Sequence, residues 1–326
     1  MDKIKIAVVG CGSIGLRHLR ILLKDKEVAP AALDVVETGL AEAAALSPDI
    51  AILHSQAELA AWRPEIVIVA TPNAFHKQNT LDAFAMGAHV LCEKPISESV
   101  ADAQEMVAAA QAAGKVLAIG QSERYRVAID TLIKAATGGR LGNLIGGRAM
   151  VGTYNTLLCA KDPRHRGETF GAIVIDYVHE LDILNAIFGV AEEVVCFGNS
   201  LGKKERQANP SLAAAVARYG RGEVVSIHFD YVQHPQRRLL EIYGDKGVMA
   251  YDFQTDTLTT WACDKADGVS ETFNNDRDVQ FFQEHRDIID AVRKGTPPRI
   301  SGAQAVDVMR TAEKMLASLR KNFPGA

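Results

Sequence analysis

Short apolar runs and stretches of helical periodicity alternate along the first 120 residues of the chain. The apolar runs are rich in β-branched residues and bounded by Gly or Pro, a pattern typical of strands buried on both faces of a sheet. They cover residues 5–9, 31–36, 66–70, 89–92 and 116–119. Leu- and Ala-rich stretches between them predict helices over 16–24, 39–46, 79–86 and 100–113. This alternation predicts a doubly wound parallel sheet of the Rossmann type.

After Gly120 the pattern changes to longer strand-like runs joined by short turns. The runs cover residues 145–152, 193–199, 213–218, 224–231, 238–243, 248–251 and 257–262. The sequences YGRGEV at 219–224 and GDKG at 244–247 are hairpin signals, so we predict a large open, mainly antiparallel sheet. Helical periodicity predicts further helices over 176–188, 278–294 and 303–321. The predicted fold class is therefore α/β followed by α+β.

The first predicted turn carries the pattern G-x-G-x-x-G between a strand and a helix. Gly10 makes the tight turn, Gly12 lets the backbone approach a pyrophosphate, and Gly15 lets the helix pack closely on the strand. The phosphates then meet free amides at the helix N-terminus, where Ser13 and Ile14 stand. Ordinary packing glycines are the alternative interpretation, but the strand–turn–helix setting favours a dinucleotide site.

An acidic residue, Asp34, ends the second predicted strand, 19 residues after Gly15. A carboxylate at this distance accepts a hydrogen bond from a ribose 2′-hydroxyl and repels a 2′-phosphate. Residues 35–38 contain no Arg or Lys, so we predict NAD rather than NADP. Cys11, inside the glycine turn, is interpreted as a small filler rather than a reactive thiol.

We predict a dinucleotide-binding Rossmann domain over 1–122 and a substrate-binding and oligomerisation α+β domain over 123–326, whose final helix packs back on the first domain.

Four segments resemble the glucose–fructose oxidoreductase / inositol dehydrogenase / rhizopine-catabolism (Gfo/Idh/MocA) family, which is NAD(P)-dependent and acts mostly on sugars and cyclitols. They are GCGSIG at 10–15, TPNAFH at 71–76 followed by AMGAHVLCEKP at 85–95, GQSERYR at 120–126 and GAIVIDYVHELDIL at 171–184. The Glu-Lys-Pro triplet at 93–95 is the most specific of them. The last 130 residues fit the family's open antiparallel sheet in outline.

The resemblance implies a cofactor and substrate site at the carboxyl edge of the first sheet, where ligands of such sheets bind. Lys94 would lie between the cofactor ribose and the substrate hydroxyl, with Pro95 fixing its backbone, often through a cis bond. The implied cofactor-binding set also contains Thr71, Pro72, Asn73, His76, Glu93 and Gln121. A plain turn at 71–73 and a surface Glu-Lys pair are the alternatives that the residues leave open.

Asp176 and His179 are three residues apart in a predicted helix, so their side chains share one face. An imidazole, with a reference pKa of about 6.5, is suited to take a proton from a substrate hydroxyl. Asp176 would orient it or bind the sugar directly. Many family members space these residues four apart, which leaves the role of Asp176 open. A helix-capping Asp176 and a structural His179 are the alternative, and Asp182 is interpreted as structural.

A basic cluster precedes this helix, in the region that lines the family's substrate pocket. One interpretation is recognition of a sugar acid or of the phosphate of a nucleotide-linked sugar, and an exposed basic loop is equally open. The cluster comprises Lys161, Arg164, His165 and Arg166, and Arg124, Tyr125 and Tyr154 are further substrate-binding candidates.

Composition narrows the class of protein. The 36 basic and 40 acidic residues give a net charge of −4, so no general attraction to nucleic acid or to an anionic membrane is expected. No run of about 18 apolar residues occurs, and the N-terminus lacks a signal-peptide pattern. The five scattered cysteines form no C-x-x-C pair, which predicts no metal site and a cytoplasmic location.

We predict an NAD(P)-dependent oxidoreductase that transfers a hydride between a nicotinamide cofactor and a secondary hydroxyl of a sugar, cyclitol or sugar derivative. His179 would take the hydroxyl proton, and Lys94 would polarise the oxygen. Two alternatives remain: a redox-neutral enzyme that keeps its nicotinamide bound, and a non-catalytic dinucleotide-binding regulator. The resemblance implies that the second sheet pairs subunits into a homodimer or homotetramer, and the run 224–231, apolar on both faces, agrees with this.

Overall fold

The structure, a computed structural model, describes residues 3–153, 170–200 and 209–323. It divides into two compact units, Met1–Tyr125 with Asp276–Met309, and Arg126–Asn275 with Arg310–Ala326. The chain therefore changes unit near residue 125 and again near 275, and its last helix is divided between the units. The domain division predicted at 122/123 stays a prediction.

The first unit contains a six-stranded parallel sheet in the order β3-β2-β1-β4-β5-β6. Its strands are β1 (Ile4–Val9), β2 (Val28–Leu33), β3 (Ala51–Leu53), β4 (Ile66–Val69), β5 (His89–Glu93) and β6 (Leu117–Gly120). The central strands are buried apolar runs, as the sequence predicts. The strand order reverses at β1, which lies between β2 and β4, and ligands of such sheets bind at that point.

Six described helices pack on the core of the first unit, and the first five of them connect its strands. They are α1 (Ser13–Leu22), α2 (Glu37–Leu46), α3 (Gln56–Trp62), α4 (His76–Ala85), α5 (Val100–Ala113) and α9 (Arg277–Lys294). Strand β2 ends at Leu33, three residues earlier than predicted, because Leu33 pairs with Val9 and β1 then turns into the glycine loop. The elements β3 and α3 were not predicted, since three strand residues are too few to show alternation.

The second unit contains an eight-stranded sheet in the order β14-β13-β12-β11-β7-β10-β9-β8. Its strands are β7 (Leu144–Gly152), β8 (Glu193–Asn199), β9 (Leu212–Arg218), β10 (Val224–Asp230), β11 (Arg237–Gly244), β12 (Gly247–Asp252), β13 (Thr257–Ala262) and β14 (Val269–Thr272). Neighbours pair antiparallel except β7 and β10, which are parallel. The mainly antiparallel sheet and both predicted hairpin turns are confirmed.

The predicted helix over 176–188 is wrong at its start. The structure has α7 (Ala172–Asp176) and α8 (Val178–Phe188), and Tyr177 between them takes φ −100° and ψ 29°. The Tyr177 side chain is held from outside the helix, because its hydroxyl lies 2.6 Å from Thr153 Oγ1 and donates to the Asp230 carbonyl at 3.3 Å. Asp176 and His179 therefore belong to different helices, and the shared-face argument does not hold.

The remaining described helices are α6 (Val127–Thr137), which was not predicted, and α10 (Gly302–Asn322), which closes the described chain.

On β10 the burial alternates, so the expectation that 224–231 is apolar on both faces is wrong. Its exposed face carries Val224, Ser226 and His228, because alternate residues of a strand point to opposite faces. Among the described helices, none combines the length and the apolar character needed to cross a bilayer.

Candidate active site

The glycine turn after β1 is shaped by backbone contacts. Gly10 has φ +96°, and a Cβ on it would lie 2.7 Å from the Ala70 carbonyl. A Cβ on Gly15 would lie 1.8 Å from the Gly10 oxygen, so α1 touches the turn here. A Cβ on Gly12 would meet nothing within 4 Å. The turn is therefore closed at Gly10 and Gly15 and open at Gly12, where a pyrophosphate would approach.

Helix α1 begins at Ser13 with Gly12 as its N-cap, and no side chain caps it. The first amides of a helix have no intrahelical acceptor, so those of Ser13 and Ile14 are available to an anion. No acidic side chain lies in this first turn. The helix N-terminus, the open space at Gly12 and the turn geometry fit a dinucleotide phosphate.

Asp34 follows β2 and holds the glycine turn. Its Oδ2 accepts from the Cys11 amide at 2.5 Å, and its Oδ1 accepts from the Val36 amide at 2.9 Å. Burial, followed by the charge of Asp34, raises the pKa of the Cys11 thiol to about 12, which agrees with a filler rather than a reactive thiolate. Asp34 thus lies beside the turn, as a ribose-binding carboxylate must.

The loop after β4 contains Thr71, Pro72 and Asn73 and leads through a 3₁₀ turn, Asn73–Phe75, into α4. His76 is buried, and its two ring nitrogens lie 2.8 Å from the Pro95 carbonyl and 2.9 Å from the Thr71 carbonyl. Both ring nitrogens contact backbone carbonyls, so His76 joins the loops after β4 and β5. Binding of the cofactor by His76 stays a prediction.

Strand β5 ends at Glu93, and the Lys94–Pro95 bond that follows is cis, as the resemblance implies. The Lys94 amide donates to Glu93 Oε2 at 3.2 Å, and Lys94 is half-buried. Glu93 pairs with Gly120 on β6, and Gln121 follows as a buried residue at the same edge. The structure thus brings Lys94 to the carboxyl edge of the sheet, together with the ends of β1 and β4.

Arg124 and Tyr125 lie in a 3₁₀ turn, Ser122–Tyr125, and both are buried. The Tyr125 hydroxyl donates to Asp287 Oδ2 at 3.0 Å, and the Arg299 guanidinium lies 5.1 Å from the ring. Burial, with the charges of Glu284 and Asp287, raises the pKa of Tyr125. Tyr125 is thus held inside the first unit by Asp287 and Arg299, and its role in substrate binding stays a prediction.

In the second unit, Asp176 ends α7 and His179 lies in the first turn of α8, both half-buried. Asp176 Oδ2 accepts from the Tyr231 hydroxyl at 2.5 Å, and the Tyr231 ring packs against Tyr177. Sequence reasoning missed Tyr231, whose signal was an aromatic residue directly after a strand. Asp182 is buried, which agrees with a structural role.

Two substrate candidates, Tyr154 and Arg164, lie outside the described residues, as do Lys161, His165 and Arg166.

The expectation that no metal is bound stays a prediction. Within the described ranges one group of three side chains, His18, Glu93 and Glu284, brings potential ligand atoms within 4.8 Å of one another. Both ring nitrogens of His18 already face other side chains, Glu93 and His285.

The first unit therefore has the sheet order, the glycine turn and the open helix N-terminus of a dinucleotide-binding protein. The second unit contains the large, mainly antiparallel sheet. Residues 4–121 match the NAD-binding Rossmann fold of the GFO_IDH_MocA oxidoreductase family. Residues 151–324 match the C-terminal alpha/beta domain of the same family. The chain belongs to this oxidoreductase family, which confirms the resemblance, and its first unit is an NAD-binding domain.

Relatives with curated names include enzymes of sugars and cyclitols. The 1,5-anhydro-D-fructose reductase of Ensifer adhaerens is 30% identical over 187 residues, covering 57% of this chain and 56% of that protein. The myo-inositol 2-dehydrogenase of Thermotoga maritima is 25% identical over 314 residues, 91% of each chain. The first curated relatives are matched over only 56%, 25% and 54% of their lengths.

A solved structure, the WlbA dehydrogenase from Bordetella pertussis in complex with NADH and UDP-GlcNAcA, is similar with a TM-score of 0.82. The match has 22% identity and covers 98% of this chain and 97% of that chain. At this identity the likeness shows the fold alone.

Proposed function

We propose that this protein is an NAD-dependent dehydrogenase or reductase acting on a secondary hydroxyl of a sugar, cyclitol or sugar derivative. The observation that carries the proposal is the Glu93–Lys94–Pro95 segment at the carboxyl end of β5. In the sheet, β5 pairs with β4, and β4 pairs with β1, the strand that leads into the glycine turn. An ammonium group at this edge is suited to stabilise negative charge on a substrate oxygen.

Separate residues bind the cofactor, stabilise charge and accept the proton in the proposed reaction. The amides of Ser13 and Ile14 bind phosphate, and Asp34 binds a ribose hydroxyl. Lys94 hydrogen-bonds the substrate oxygen and stabilises the negative charge that develops on it. We assign the proton-accepting role to His179 from its chemistry and the family resemblance, with Asp176 and Tyr231 binding the sugar. NAD, when bound, supplies the hydride acceptor.

The proposed substrate class comes from the relatives, so the test uses a panel of candidate substrates. Wild-type protein is mixed with NAD and with myo-inositol, anhydro sugars, sugar acids and UDP-linked sugars, and NADH is read at 340 nm. We expect turnover on one class, lost in Lys94→Ala and in His179→Ala. Bound nicotinamide with sugar conversion but no net NADH would favour the redox-neutral alternative. Intact NAD binding with no conversion of any sugar would favour a regulator.

We also propose that the protein is a homodimer or homotetramer whose subunits pair through the sheet of the second unit. The cysteines in the described part of the chain form no disulfide, which suits a reducing cytoplasm, and we propose that location. Val195, Phe197, Val216 and Val224 form an exposed apolar patch on β8, β9 and β10. Such patches mark interaction surfaces.

Phe197→Asp with Val216→Asp is expected to yield a monomer in light scattering, because each Asp would place a charge in the buried interface. Val269→Asp, on the exposed edge strand β14, is the matched control and should leave the oligomer intact. A wild-type monomer would contradict the proposal.

A further inference from the structure

Three buried titratable side chains, His18, Glu284 and His285, lie together with the half-buried Glu93 at the end of β5, all within the first unit. His18, on α1, is fully buried, and its Nε2 lies 3.0 Å from Glu93 Oε1. Its Nδ1 lies 2.7 Å from Nε2 of His285 on α9. Glu284, the neighbour of His285, is also buried and places a carboxyl oxygen within 4.8 Å of the His18 and Glu93 atoms. The proposed reaction uses none of His18, Glu284 and His285.

Glu93 is the charged member of this cluster. Burial alone would raise its pKa, but the hydrogen bond and charge of His18 and the charge of Lys94 hold the pKa of Glu93 below its usual range. An ionised carboxylate only accepts hydrogen bonds, so His18 Nε2 donates to it. Burial, together with the charge of His18, holds the pKa of His285 well below its usual range, so His285 is neutral.

Glu284 is kept neutral beside Glu93. Neither of its carboxyl oxygens has a hydrogen-bond partner within the described part of the chain. Burial, followed by the charges of Glu93 and Asp287, raises the pKa of Glu284 well above its usual range. The single carboxylate charge of the pair therefore stays on Glu93, whose Oε2 accepts from the Lys94 amide.

The backbone makes room for this arrangement. A Cβ on Gly120 would lie 3.1 Å from the Glu93 carboxyl, so the glycine leaves the space that the carboxylate occupies. Glu93 Oε2 accepts from the Lys94 amide at 3.2 Å while Oε1 is held by His18. The ring of Phe281 covers His18 at 5.1 Å between centroids. The groups facing Glu93 and Glu284 are His18 on α1, Lys94 after β5, Tyr125 after β6, and His285 and Asp287 on α9.

We propose that His18, anchored by His285, is a positioning residue that holds the Glu93 carboxylate against the Lys94 amide and thereby fixes the direction and charge environment of the Lys94 ammonium. The inference rests on the proposed function, because it deepens the role of Lys94. A divalent cation among His18, Glu93 and Glu284 is the competing interpretation, and it would require His18 to give up its hydrogen bond to Glu93.

The test compares His18→Leu with His18→Gln, since glutamine keeps a donor for Glu93. On the substrate identified by the panel, His18→Leu is expected to lower kcat about 10- to 100-fold with little change in the KM for NAD, as a small misplacement of a reacting group does. His18→Gln should recover much of the loss. Equal activity of wild type and a folded His18→Leu would overturn the proposal, as would a His18→Gln that folds yet is no more active than His18→Leu.

A second readout needs no turnover. The pH dependence of Lys94 reactivity toward an amine reagent is followed by mass spectrometry. Without the His18 donor, the Glu93 carboxylate is no longer held beside Lys94, so Lys94 loses a neighbouring negative charge. The titration midpoint of Lys94 should therefore move to lower pH in His18→Leu, as in Glu93→Gln. Glu284→Gln is the matched control and should leave the midpoint unchanged, because among the described residues no hydrogen bond joins the Glu284 carboxyl to Glu93 or Lys94.

The two proposals fail separately. If the Lys94 midpoint shifts in His18→Leu but the wild type oxidises no sugar, the proposed function is contradicted and the positioning role is supported. Sugar oxidation with an unshifted midpoint in His18→Leu sinks the positioning role alone. A stoichiometric metal in the purified wild type, absent from Glu284→Gln, would replace the positioning role by a metal site.

Discussion

Lys94→Met is expected to lower kcat for sugar oxidation by about 10²- to 10⁴-fold, the range found for removal of a group acting on the reacting proton or oxygen. Methionine matches the length of the lysine stem but carries no charge and no donor. The substrate oxygen would therefore develop negative charge without the Lys94 ammonium, at a cost of about 2.7–5.5 kcal/mol in the transition state. Steady-state NADH formation at saturating sugar and NAD measures the loss.

Lys77→Met is the matched control. Lys77 lies on α4 and pairs with Asp102 and Glu105 at 2.6 Å each, at the surface of the first unit. Its loss should leave kcat within about twofold of wild type, since surface ion pairs contribute little. An undiminished kcat in Lys94→Met, with NAD still bound, would remove Lys94 from the chemistry.

Gly15→Ala and Gly12→Ala should fail in different ways although they add the same methyl group. At Gly15 the methyl would lie 1.8 Å from the Gly10 oxygen, so helix α1 must move away from the turn. Overpacking of this kind costs about 3 kcal/mol or more, which corresponds to a fall in Tm of about 6–12 °C. Thermal unfolding without NAD measures it.

At Gly12 the methyl meets nothing within 4 Å, so Tm without NAD should stay at the wild-type value. The methyl occupies the space in which a pyrophosphate approaches the backbone, so the Kd for NAD should rise about tenfold or more, which is ~1.4 kcal/mol or more. Calorimetric titration with NAD measures the change. Unchanged NAD affinity in Gly12→Ala would place the pyrophosphate elsewhere.

The sequence predicted the parts of the site that depend on short, local patterns. The glycine turn, the position of Asp34 and the Lys94–Pro95 segment each lie within a few residues of a strand end, and strand ends are visible as buried apolar runs. The helix break at Tyr177 could not be predicted, because a single residue out of helical geometry leaves the apolar spacing unchanged. That break is imposed by Thr153 and Asp230, which lie far along the chain.

The His18–Glu93–His285 cluster was missed for a related reason. His18 and His285 are 267 residues apart, and no local periodicity connects them. His18 occupies a helix position that sequence patterns assign to the core, where a histidine is most often a satisfied structural residue. Without an observed pairing to Glu93, the sequence offers no ground for a functional interpretation.

Strand β7 also has a consequence for how the second unit folds. It lies between a three-stranded group, β10-β9-β8, and a four-stranded group, β11-β12-β13-β14, each joined by sequence-local pairings. Its own partners are distant, since Gly146 pairs with Val224 and Gly152 with Arg237. Loop closure over such separations is slow, so we expect each group to form first and β7 to join them last. The strand translated first in this sheet is thus the one whose pairing completes it.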